Sequence, residues 1–110
     1  MIRDTISKLE AKLQQAEAVN PESRQELLRL LGQLKSEITD LSQSNAQEAE
    51  NIAGHTEFST REAISEEKNP ELLQRSLDDL SASVTGFEKT HPKLVEIVNR
   101  LATTLSNLGI

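Results

Sequence analysis

The sequence predicts an all-α fold: a helical bundle of coiled-coil-like antiparallel helices with a helix interruption near Pro92. Three observations carry this reading. Apolar residues, mostly leucine, recur at alternating steps of four and three in every apolar segment, which is the repeat of one helix face. No run alternates with a period of two, so nothing reads as a half-buried strand. Phe58 and Phe87 are the only aromatic residues while 27% of the chain is charged, a composition that suits helices paired along stripes better than a core built on large rings. The 110 residues leave room for a single helical domain spanning 1–110.

The first helix is expected at about 2–18, where Ile2, Ile6, Leu9, Leu13 and Ala16 form the seam. Val19-Asn20-Pro21-Glu22 then breaks it. Asn20 suits an N-cap, Pro21 the first helical position, and Glu22 the positive end of the next helix. The link is short, so the first two helices are expected to lie antiparallel. The second helix reads from 21 to 53 through Leu27, Leu31, Leu34, Ile38, Leu41, Asn45, Glu48 and Ile52, with Leu28 and Leu30 widening its face. About 33 residues of helix would span roughly 50 Å. Its seam weakens after Leu41, where Asn45 and Glu48 take core-type positions. Either a buried Asn45 fixes register, or this half is solvated.

Residues 54–69 carry no seam and four glutamates, and read as an acidic linker opened by Gly54 as a C-cap. Ser59 and Glu62 stand at capping-box spacing, which allows a short helix over 60–68, tacked to the body by Phe58 and Ile64. The third main helix, about 70–90, repeats the Asn-Pro-Glu start at Asn69-Pro70-Glu71 and runs through Leu73, Leu77, Leu80, Val84 and Phe87, with Gly86 inside it. The fourth, about 92–108, follows Thr90-His91-Pro92 and runs through Leu94, Val98, Leu101, Leu105 and Leu108, ending in a Gly109-Ile110 stop. The seam keeps phase from Leu73 to Leu108 across Pro92. That continuity, with no glycine in Lys89-Thr90-His91, favours an in-line kink over a hairpin. Proline in a helix interior costs about 3 kcal/mol and biases His91 away from helical geometry, so an interruption is expected in either case.

Composition excludes much chemistry. Net charge is −6 without a lysine or arginine cluster, so neither nucleic acid nor an anionic membrane is an expected partner. There is no cysteine, hence no thiolate chemistry or cysteine metal site. No apolar run approaches the ~20 residues that span a bilayer, and the amphipathic beginning of the chain lacks a signal-peptide core, so a cytoplasmic protein is expected. His55 and His91 are the only imidazoles, and neither has a second histidine three or four residues away. Glu88-Lys89-Thr90-His91 matches the Glu-x-x-His element of di-iron bundles, which need it twice, and Pro92 would distort this copy. The eleven serines include none in a nucleophile elbow, and the four glycines are isolated. No enzyme activity, catalytic residue, metal or cofactor is expected.

At its C-terminal end the chain resembles a family of short, uncharacterised bacterial proteins classed as a domain of unknown function. The residues that carry the likeness are Phe87, Glu88, Thr90, His91, Pro92 and Leu94, then Gly109-Ile110. The Val19-Asn20-Pro21-Glu22 link between leucine-striped helices is similar too, and the likeness covers about three quarters of the chain. Relative to short members, 42–68 looks like an insertion. The resemblance implies a helical fold and no transferable activity.

The seam residues Leu31, Leu34, Ile38, Leu77, Leu80, Val84, Phe87, Leu94, Val98, Leu101 and Leu105, with Leu9 and Leu13, are expected to form the core or to meet a partner. The leading expectation is a non-enzymatic, self-associating helical interaction module. A 50 Å helix cannot hide in a sphere of about 13 Å radius of gyration, so either the second helix bends or frays after Leu41 or the molecule is elongated, and the stripe then left uncovered would be met by a second copy in a homodimer. The alternative is a small acidic chaperone or adaptor that holds a partner's amphipathic helix.

Overall fold

Each Asn-Pro-Glu tripeptide starts a helix as its chemistry dictates. Asn20 Oδ1 accepts the Ser23 amide proton at 2.8 Å and opens α2 (Pro21–Ser42). Asn69 Oδ1 accepts the Leu72 amide proton at 3.1 Å and opens α4 (Pro70–Ala82). In both, the side chain satisfies an otherwise orphaned donor, and the proline stands where no donor is needed. The remaining helices are α1 (Ile2–Gln15), α3 (Ala46–Ile64) and α5 (Pro92–Gly109). The computed structural model describes residues 2–17, 19–67 and 69–109, and among these there is no strand. The chain forms an all-α bundle.

The first seam behaves as its spacing predicts: Ile6, Leu9 and Leu13 are buried against α2 and α3. Beyond Gln15 the chain turns, and Ala18, expected in this helix, lies outside the described residues. Arg24 clasps the turn, its Nη2 donating to the carbonyls of Ala16 at 2.6 Å and Val19 at 3.1 Å. Further along, Lys35 meets Glu10 at 2.6 Å. Going forward along α2 thus goes backward along α1, which is the expected antiparallel pair.

The expected continuous helix over 21–53 is two helices. The α2 helix stops at Ser42, and the amides of Ser44 and Asn45 both reach back to the Leu41 carbonyl, at 3.1 and 2.8 Å. Ser42, Ser44 and Asn45 have side chains that compete for backbone groups, here Ser42 Oγ on the Thr39 carbonyl at 2.7 Å, so the stretch breaks easily. Asn45 occupies the N-cap position of α3, half-buried, and Glu48 is exposed. Neither enters the core, because the chain reverses before reaching them.

The expected linker over 54–69 is largely helix. Residues up to Ile64 belong to α3, and Gly54 lies in its middle, exposed, rather than at a cap. The short helix expected over 60–68 is therefore the end of a longer one, and its last residue, Lys68, lies outside the described residues. The α3 helix packs against all four others. Its inward face is Ala49, Ile52, Ala53, Thr56, Ser59, Thr60 and Ala63, mostly small side chains that let several helices approach one axis. Two hydroxyls find backbone partners: Thr56 Oγ1 donates to the Ile52 carbonyl at 2.8 Å and Ser59 Oγ to that of Ser76 on α4 at 3.1 Å. Ile64 is half-buried against the core as expected, whereas Phe58 points outward and stays out of the core cluster.

At Pro92 the chain folds back instead of kinking in line. The expected helix over 70–90 ends at Ala82, and α4 and α5 pack side by side. Gly86 sits in the connection at φ 100°, supplying the left-handed residue that a reversal needs. The Phe87 amide donates to the Val84 carbonyl at 3.1 Å and the His91 amide to that of Phe87 at 2.8 Å. The seam stays in phase because both helices face one core. Val84 is buried within this connection, while Phe87 is half-buried, not central. The stop expected at Gly109-Ile110 cannot be traced further, since Ile110 lies outside the described residues.

The leucine stripes of α1, α2, α4 and α5 close on one another and on α3. The radius of gyration is 12.9 Å and the extents are 37 × 25 × 21 Å, so the 50 Å helix that called for a second copy is absent.

Candidate interaction surface

The seam residues converge, but inward. Leu31, Leu34, Ile38, Leu77, Leu80, Val84, Leu94, Val98, Leu101 and Leu105 are all buried in one cluster within a single chain, with Leu9 and Leu13. They are the core and are not available to a partner without unfolding. Phe87 lies at its edge, its ring 5.7 Å from that of His91 in an edge-to-face arrangement.

The residues with the strongest claim to chemistry are spent on the α4–α5 connection. Glu88 Oε2 accepts the Gly86 amide proton at 2.8 Å, and His91 Nδ1 lies 3.0 Å from Thr90 Oγ1. Glu88 and His91 thus hold the loop around Gly86 and Phe87. Among the described residues no three of His, Asp and Glu gather in a way that could hold a metal ion.

Two surface features remain. One is an open concavity of about 600 Å³ where α2 meets α5, lined by Glu26, Glu88, Pro92, Val95, Glu96, Arg100 and Thr103 among others. Two of its three carboxylates pair with arginines. Glu96 meets Arg100 at 3.0 Å, and Glu26 meets Arg29 at 2.6 Å. The hydrogen bond from Arg29 holds the Glu26 carboxyl below the usual carboxylate range and pushes the guanidinium up. The lining of this face carries three carboxylates and one guanidinium.

The other feature is the outward face of α3. With α3 fixed by its small residues, helical geometry turns Gln47, Asn51, Gly54 and Phe58 away from the bundle. Phe58 is 47% exposed, the one large hydrophobic residue so placed among the described residues. Gly54, one turn before it, faces open space: nothing lies within 4 Å of where a Cβ would stand. Glu57 is held by Arg61 at 3.4 Å, and Gln47 Nε2 donates to Asn51 at 3.1 Å. The charge is uneven on a larger scale. Residues 46–82 hold nine acidic and three basic residues, while the rest of the chain holds nine of each. The α3–α4 hairpin thus carries the entire net charge of −6.

Sequence reasoning missed this surface because it searched for leucine. The signal present was Ala49, Ala53, Thr56, Thr60 and Ala63, which recur at helical spacing in small residues.

Comparison with known proteins adds the family and nothing of the activity. Residues 30–110 match the family described as Domain of unknown function (DUF4404), and the chain belongs to it. No curated protein and no solved structure matches the chain. No helix among the described residues is long and apolar enough to cross a membrane.

Proposed function

We propose that this member of the family is a non-enzymatic interaction module, an acidic helical adaptor that binds another protein through a surface left after its own core has closed. The observation that carries the reading is the division of charge. A balanced body joined to a hairpin holding all the net negative charge creates a directed field, which steers an oppositely charged partner and disfavours a like one. Closure of the leucine seams supports the same choice. Self-association was expected from an uncovered stripe, and within this bundle the stripe is covered by the chain's own helices.

Affinity capture with the tagged protein, followed by mass spectrometry and stoichiometry, tests the reading. A second protein recovered in equal amount is the expected result. Recovery of further copies of this chain alone would overturn it in favour of a structural oligomer. A substrate turned over by the wild type and lost on His91→Ala would overturn the non-enzymatic part.

A further inference from the structure

We propose that the outward face of α3, centred on Phe58, is the docking surface of this module, and that its occupant is a basic amphipathic helix of a partner protein. This rests on the reading of the chain as an interaction module and says where and with what chemistry it binds.

Phe58 has no place in the core. The inward arc of α3 is filled from Ala49 to Ala63, and Phe58 stands on the opposite side. A buried aromatic anchor ringed by polar contacts is the common form of an interface hot spot, and an exposed ring among polar neighbours is that anchor before it is covered. Gly54 lies one turn earlier with open space around it, which leaves a shallow floor beside the ring for an apolar side chain of the partner. The face is also stiffly supported, because α3 is held by every other helix and by the Ser59–Ser76 hydrogen bond at 3.1 Å. A rigid face loses little entropy on binding.

Charge selects the occupant. Glu50, Glu57 and Glu62 flank the Phe58 face on the same helix; Arg61 engages Glu57 at 3.4 Å and leaves Glu50 and Glu62 to meet a partner, within the stretch 46–82 that carries the whole net negative charge. Lysine or arginine residues on either side of a partner's apolar stripe would meet these carboxylates, while the stripe covers Phe58. A second copy brings the same carboxylates and is repelled. The α2–α5 concavity offers more volume, but no large exposed hydrophobic residue stands in it to anchor a partner.

The test is a titration of isotopically labelled protein, followed by amide chemical shifts, with a synthetic amphipathic helix of leucine and lysine. A matched leucine–glutamate helix serves as control. Saturable shifts confined to amides 47–62 are expected with the lysine peptide only, weakening as salt is added. Phe58→Ala should weaken binding about thirtyfold, the scale of a hot-spot truncation. Glu50→Gln with Glu62→Gln should weaken it and flatten the salt dependence. Phe58 is exposed, so its alanine variant should melt as the wild type does, and the comparison is made on folded protein. Shifts centred on α2 and α5, equal binding of the glutamate peptide, or unchanged affinity in Phe58→Ala would overturn the proposal. If affinity capture still recovers a partner with Phe58→Ala, the docking surface falls and the interaction reading stands. If neither peptide nor partner binds, both fall.

Discussion

Gly32 and Gly86 differ in what their backbone demands. Gly32 lies inside α2, exposed, with nothing within 4 Å of where a Cβ would stand, so its missing side chain serves no packing purpose. Gly32→Ala should raise stability by about 1 kcal/mol, the helix-propensity difference, read as a shift in denaturant midpoint at constant slope. Gly86 also has space, but its φ of 100° is one that side chains rarely adopt. Gly86→Ala should therefore destabilise by about 1 kcal/mol or more, and a neutral result would show that the reversal tolerates another geometry. Thr60 is the third residue with a clear expectation. Its hydroxyl is buried with no hydrogen-bond partner among the described residues. Thr60→Val removes that polar atom and should stabilise by about 1 kcal/mol; a loss of stability would reveal a partner for the hydroxyl.

At the scale of elements the test falls on α3. Its residues 54–64 read as a linker, yet its amides from Ile52 to Ala63 should resist hydrogen exchange as strongly as those of α2. The helix is covered by all four of its neighbours. Rapid exchange there would contradict the packing. Ala53 is buried where helices approach closely, so Ala53→Leu should cost about 1–3 kcal/mol by overpacking, measured by chemical denaturation. The caps of α2 and α4 could be read in advance, because a cap is a local device: Asn20 and Asn69 each act on an amide three residues away. The end of α4 could not. The phase shared by Leu73 and Leu108 is compatible with one kinked helix or with two helices facing one core, and periodicity does not record direction.

For the whole molecule, closure within one chain predicts a particle of 12.2 kDa with a radius of gyration near 12.9 Å, unchanged with concentration. Light scattering with small-angle X-ray scattering would check it. A doubled mass would restore the homodimer expected from sequence, though not for its original reason, since the longest extent is 37 Å. The same measurement bears on the charge division, because a hairpin with all the net negative charge should keep copies apart most strongly at low salt.

By itself the sequence determined the helical class, the two capped starts and most of the large core residues, Phe87 excepted, because these follow from apolar period and from side chains acting within a few residues. It did not decide that Ser42–Asn45 is a reversal, that 54–64 belongs to the helix touching all others, or that Pro92 opens the second arm of a hairpin. Those depend on which faces meet. An alanine–threonine face has little hydrophobic signal of its own and becomes a core face only when neighbours close around it. The tertiary structure also decided the role of the leucine seams. A seam states that something must cover it, and only packing determines that the cover is this chain's own helices, leaving Phe58 outside.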